Sequence, residues 1–147
     1  MDLDQRITEL TQKMLRRKLY AVISLPSPAP EKLKPLLPAH LEYMIGLEKR
    51  GLLFASGPLS DGGAGPPNGA GLTILRAPNA QEARALAEAD PFVTKGLRTF
   101  ELKEWIVMEG SIGLKVNLSD LHGARRSFRN FNKRSYGCAP RVQSGDG

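Results

Sequence analysis

The chain has 147 residues and a formal charge of +6 at pH 7, a length that suits one packed domain with tails and excludes two comfortable ones. The charge is unevenly placed: residues 121–147 hold six basic side chains (Arg125, Arg126, Arg129, Lys133, Arg134, Arg141) against Asp146 alone, so the preceding 120 residues lie within one charge of neutrality. That distribution disfavours a phosphate-binding groove on the domain, leaving only weak polyanion contact through the tail. The lone Cys138 forms no internal disulfide, so the fold must stand on packing, as suits a reducing cytoplasm.

From the N-terminus, Leu3, Ile7, Leu10 and Met14 fall at helical spacing between the acids Asp2 and Asp4 and the bases Arg16, Arg17 and Lys18. Both charge groups favour the helix dipole, and the pattern predicts a helix over residues 2–17 docked on the domain. The same acids, with Glu9, stand where a secretory signal would need a basic and then apolar stretch. No run approaches the roughly 20 apolar residues of a membrane span, so a cytoplasmic protein without a membrane partner is expected.

Leu19 to Leu25 is a short apolar run rich in strand formers, closed by Pro26, Pro28 and Pro30. Pro38 suits the first turn of a following helix in which Leu41, Ile45 and Glu48 share one line, with Met44 beside them and Gly51 as the stop. His40 then sits in the opening turn. Residues 52–56 form a second strand candidate ended by Gly57 and Pro58. The Gly-, Pro- and Asn-containing stretch 60–71 has neither the glycine order nor the Lys-Ser/Thr pair of a phosphate loop and reads as a connection.

Leu72 to Leu75 makes a third strand, and Asn79 with Glu82 forms the capping signature of a second helix, closed by Asp90 and Pro91. Phe100 to Met108 alternates as a fourth strand that includes Trp105, and 112–118 alternates as a fifth. The basic tail after Leu121 loses all periodicity and reads as disordered. The order predicts an α+β, ferredoxin-like β-α-β-β-α-β domain over 19–120, with a helix over 1–18 before it and a tail over 121–147 after it. Such a sheet leaves one apolar face uncovered, which predicts a homodimer packed face to face, with 112–118 reaching across or extending an edge. The alternative for 112–118 is a hairpin with the preceding strand inside one protomer.

His40 and Asp90 are the side chains best suited to chemistry. One imidazole and one carboxylate beside apolar segments are the minimum for proton transfer near neutrality. A helix-ending Asp-Pro and a lone surface histidine are the plainer alternatives. No serine or cysteine with an evident base is present, which disfavours a covalent intermediate. Two histidines and one cysteine, none at ligand spacing, predict no metal, and His122 lies in the tail. Ser56, Gly57 and Pro58 read as a strand end whose backbone approaches a ligand or as an ordinary turn; Trp105 reads as core or as a substrate platform.

This pattern resembles the YCII-related family of the dimeric α/β-barrel superfamily. The features that carry it are His40-Leu41, Gly51 before the second strand, Gly57-Pro58 after it, Asp90-Pro91-Phe92, and Trp105 ahead of Glu109-Gly110-Ser111. They cover residues 19–118. The resemblance implies a small-molecule pocket on each subunit holding a His–Asp dyad, which falls on His40 and Asp90, with Ser56, Gly57, Pro58, Phe92 and Trp105 as wall. The family includes a dehydrochlorinase acting on a chlorinated hydroxyquinol, and the superfamily includes muconolactone isomerase. It therefore implies cofactor-independent lyase or isomerase chemistry on a small metabolite. The rival expectation is a non-catalytic dimeric module that binds a small molecule.

Overall fold

In the computed structural model, which describes residues 2–63 and 68–113, four strands form one antiparallel sheet. They are β1 (Arg17–Ser24), β2 (Leu53–Pro58), β3 (Gly71–Leu75) and β4 (Phe100–Val107), in the order β2-β3-β1-β4. The crossovers are helical: α2 (Leu33–Lys49) joins β1 to β2, and α3 (Ala80–Glu88) with α4 (Pro91–Thr94) joins β3 to β4. This is the ferredoxin-like α+β arrangement. An additional helix, α1 (Leu3–Thr11), precedes β1.

Register assigns the faces. Tyr20 pairs with Leu75 and Glu104, and Val22 with Thr73 and Leu102. Directly opposed residues of antiparallel strands point the same way, so these side chains share one face. Tyr20, Val22 and Leu75 there meet Met44 and Leu47 of α2 and Ala83 and Ala87 of α3 in the buried core. The other face carries Leu19 opposite Trp105, Ala21 opposite Ile74, and Ile23 opposite Leu72.

The N-terminal helix is shorter than its spacing predicts. Asp2 caps it, its carboxylate accepting from the Gln5 N–H at 2.7 Å, but it ends at Thr11 and none of its residues is buried. Arg16 turns through φ 51, and the sheet takes the next residues: Arg17 pairs with Val107 and Lys18 with Ile106. Of the three bases expected in the last helical turn, Arg16 thus makes the turn and Arg17 and Lys18 are strand residues, with Lys18 paired to Glu104 at 3.2 Å.

Pro30 opens a single 3-10 turn (Pro30–Lys32) that runs straight into α2 at Leu33, so Pro38 lies inside the helix and His40 lies in its middle. Pro30 takes the first-turn role expected of Pro38, because the missing N–H of a proline is harmless at a helix start. At the other end Gly51, at φ +74, donates to Glu48 O at 2.9 Å while Leu52 N donates to Leu47 O at 3.0 Å. This is the paired left-handed glycine cap that the Lys-Arg-Gly sequence predicts.

The long connection between β2 and β3 is held at both ends. Leu59 N donates to Ala70 O at 3.0 Å, and Ser27 N donates to Asn68 O at 2.6 Å. Gly69, at φ +92, presses against Leu33 and Ser27 so closely that an added Cβ would stand 3.1 Å from both side chains.

The chain divides into two units, residues 1–109 and 110–147, and of the second only 110–113, which are irregular, are described. The expected strand 112–118 and the tail 121–147 lie outside the described residues from position 114 onward. Among the described residues no helix is long and apolar enough to cross a membrane.

Candidate functional site

Asp90 is placed by a helix start, not by a helix end. α3 stops at Glu88 with Ala89 as its cap, and Asp90 then opens α4, with Pro91 at the first position and its own Oδ1 accepting from the Phe92 N–H at 2.9 Å. Asp90 therefore does not close the preceding helix, as its Asp-Pro sequence suggests, but caps the next one. A short acceptor ahead of Pro-Phe caps the new turn as well as it would stop the old one.

The same Oδ1 lies 2.9 Å from His40 Nδ1. Fifty residues apart in sequence, the two groups meet because α2 packs directly against α4. A carboxylate oxygen only accepts, so Nδ1 carries the hydrogen, and in the neutral ring Nε2 is then the acceptor. The imidazole also stacks on Phe92, with ring centroids 4.4 Å apart and planes inclined by 21°.

Sequence reasoning missed the third member. Arg98 Nη1 donates to Asp90 Oδ2 at 3.3 Å, and its guanidinium carbon lies 4.7 Å from the Phe92 ring centroid. The side chains of His40, Asp90 and Arg98 are only 12%, 11% and 12% exposed. A carboxylate that deep is tolerable only when its lone pairs are met, and here Phe92 N, His40 and Arg98 meet them. Burial pushes the Arg98 guanidinium below the usual arginine value, and its contact with Asp90 opposes that shift. Its Nε is buried with no hydrogen-bond partner among the described residues. The signal that places Arg98 is local: Thr94-Lys95-Gly96 turns the chain back, Gly96 at φ +69, so that Arg98 N donates to Phe92 O at 3.1 Å.

Beside this cluster opens a cavity of about 880 Å³ between α2 and the β2–β3 edge of the sheet. His40, Phe92 and Arg98 line it, and so do Ser56, Gly57 and Pro58. Ser56 Oγ lies 2.7 Å from Thr73 Oγ1 on the neighbouring strand, a pair of hydroxyls on the cavity side of the sheet. Asp90 stands behind His40 and lines instead a void of about 20 Å³ with Ser24, Tyr43, Thr73 and Arg98, a space the size of one water and too small for a metabolite.

Trp105 is the one proposed wall residue that the register separates from the others. It faces the same way as Leu19, on the side of the sheet away from the helices, and does not line the cavity. Alternation along β4 decides this: Phe100 and Leu102 reach the helix-side core, which sends the odd-numbered neighbours outward. Among the described residues no three His, Cys, Asp or Glu side chains cluster as metal ligands.

A four-stranded antiparallel sheet with α2 and α3 on one face, and a buried His–Asp–Arg cluster beside one cavity, define an α+β small-domain architecture. The family model for the YCII-related domain matches residues 18–106, and the chain belongs to that family. Among solved structures it is similar to the 5-chloro-2-hydroxyhydroquinone dehydrochlorinase of Burkholderia phenoliruptrix AC1100 in complex with 2,5-dihydroxybenzoquinone. That match has 23% identity and a TM-score of 0.52, and covers 59% of this chain and 92% of that one. At that identity the likeness establishes the fold. A comparison with curated proteins finds no match.

Proposed function

We infer that the protein is a small-molecule enzyme that moves a proton without a cofactor, with His40 as the base and Asp90 as its orienting partner. The observation that carries this reading is the 2.9 Å contact between His40 Nδ1 and Asp90 Oδ1 at the wall of a ligand-sized cavity. Asp90 holds the tautomer that leaves Nε2 free to take a proton from an activated hydroxyl, or from a carbon next to a carbonyl. The electron pair released then expels a leaving group, as in a lyase, or recaptures a proton elsewhere, as in an isomerase. Arg98 holds the carboxylate in place from its other oxygen. Ser56, Gly57, Pro58 and Phe92 form the wall, and the Ser56–Thr73 hydroxyl pair offers hydrogen bonds to a hydroxylated ring.

The dehydrochlorinase neighbour supports a chlorinated or hydroxylated ring as the first class to test. The partly exposed Ala21, Ile23 and Leu72 and the exposed Trp105, on the sheet face opposite α2 and α3, support a homodimer packed through that face, although Leu19 and Ile74 on the same face are already buried within the protomer. In this reading Trp105 belongs to the subunit contact. A cytoplasmic location fits a fold without disulfides and with one cysteine.

The test is chloride release from 5-chloro-2-hydroxyhydroquinone by the wild-type protein, His40→Asn and Asp90→Asn. Loss of turnover in His40→Asn with ligand binding retained is the expected result. Equal turnover in the wild type and His40→Asn overturns the assignment. Binding without turnover in the wild type would identify a binding module instead.

A further inference from the structure

The geometry points to a substrate with two parts: an ionisable hydroxyl head at His40 and Arg98, and an apolar body, longer than one ring, lying along the exposed side of α2. This rests on the proton-transfer reading for the head, but the apolar body is argued from different residues. A cavity of roughly 150 Å³ already accommodates benzene. The cavity here is about 880 Å³, several times what one ring needs. Between Lys34 and Glu48 its extra length is walled by hydrocarbon. Leu37, Leu41 and Ile45 recur at steps of four along α2, and Phe54 faces them from β2.

These four are between 40% and 48% exposed, so the protomer itself leaves the apolar wall unsatisfied. Phe54 reaches it by a specific device. The β2–β3 ladder shifts between Leu53 and Ala55, leaving Phe54 as the extra residue of a bulge, a distortion that re-aims a side chain. Arg76, 5.1 Å from the Phe54 ring, braces it there. Lys34 and Glu48 bound the apolar run at its two ends on α2, and the remaining polar groups gather at the other part of the same cavity, where Thr73 and Arg98 also line the small void next to Asp90. The site thus pairs a concentrated polar end with an apolar run, which matches an amphipathic small molecule. The run lies on the helix side of the sheet, so a second copy seated on the opposite face would leave it open.

Calorimetric titration of the full chain with 4-alkylresorcinols from ethyl to hexyl tests this. Each methylene that enters the apolar run should lower Kd by about fourfold, until the chain outgrows the wall. Leu41→Ser and Ile45→Ser, both at partly exposed positions, should flatten that dependence. A wild-type Kd constant within about twofold across the series would overturn the proposal, since even one buried methylene exceeds that. The wild-type series needs no variant to fold. His40→Asn separates the two readings. If it loses turnover yet keeps the chain-length dependence, both stand. A one-ring compound that is turned over by a protein with a flat series removes the apolar body alone. A steep series with no turnover by the wild type removes the proton transfer and leaves the ligand class.

Discussion

The two sides of α2 are both apolar, and they differ in what they meet. Met44 and Leu47 face the sheet and are buried against Tyr20, Val22 and Leu75. Leu37, Leu41 and Ile45 face the cavity and remain half exposed. His40 stands between the two sides, touching Asp90 behind and the cavity in front. One helix therefore packs the core with one stripe and lines the cavity with the next. Substitutions should separate into those that change stability and those that change what the site does.

The largest effect is expected at the seam. Removing the base with His40→Asn should lower turnover by about 10²–10⁴-fold, measured as initial rates, with a small change in thermal midpoint. A comparable loss of stability and activity together would mean that His40 is structural. Next comes the buried side. Leu47→Ala removes a side chain only 1% exposed and should cost about 2–5 kcal/mol in denaturant unfolding.

Tyr43 gives a smaller effect with a pH signature. Its hydroxyl donates to Leu86 O at 2.6 Å and ties α2 to α3. Burial raises its phenol above the ordinary 10.0, with Arg50 opposing and Asp90 adding to the rise. A raised folded-state value means that the folded protein holds the proton more tightly than the unfolded chain. That stabilisation is complete below the unfolded value and is lost as pH rises through the folded one. Tyr43→Phe should cost about 0.5–1.5 kcal/mol near neutrality and should make unfolding less steeply pH-dependent above roughly pH 10. The smallest change is expected on the cavity side, where Ile45→Ser should alter stability by about 0.5 kcal/mol or less. A larger loss there would mean that the exposed stripe is core in the assembled protein.

Most of the fold was legible because it follows period and punctuation. The β1, β3 and β4 runs alternate or carry strand formers, and the Asn79–Glu82 cap forms as read, with Asn79 Oδ1 accepting from Glu82 N at 2.8 Å. What failed depended on partners far along the chain. The helical spacing from Leu3 to Met14 says nothing of β4, whose pairing with Arg17 and Lys18 shortens α1. His40 and Asp90 could be singled out by chemistry, and their meeting rested on the topology and the family resemblance, since separation along the chain says nothing of distance. Arg98 had no motif to mark it among 21 basic residues. Trp105 was misplaced because an aromatic on a strand reveals its face only once the register is known.

The clamped ends of the β2–β3 connection have a consequence for how relatives of this chain could diverge. Leu59 is fixed to Ala70, and Asn68 to Ser27, while Gly69, Ala70 and Gly71 form part of the cavity wall. Insertions between the two anchor points would therefore leave the strand register and the His40–Asp90 contact untouched. Doubling such a loop costs only about 0.6 kcal/mol in closure entropy. Length variation at a single exchangeable segment can then occur next to the cavity wall without disturbing the sheet. Substitution of Gly69 is the exception, because any side chain there would push the rim off Leu33 and Ser27.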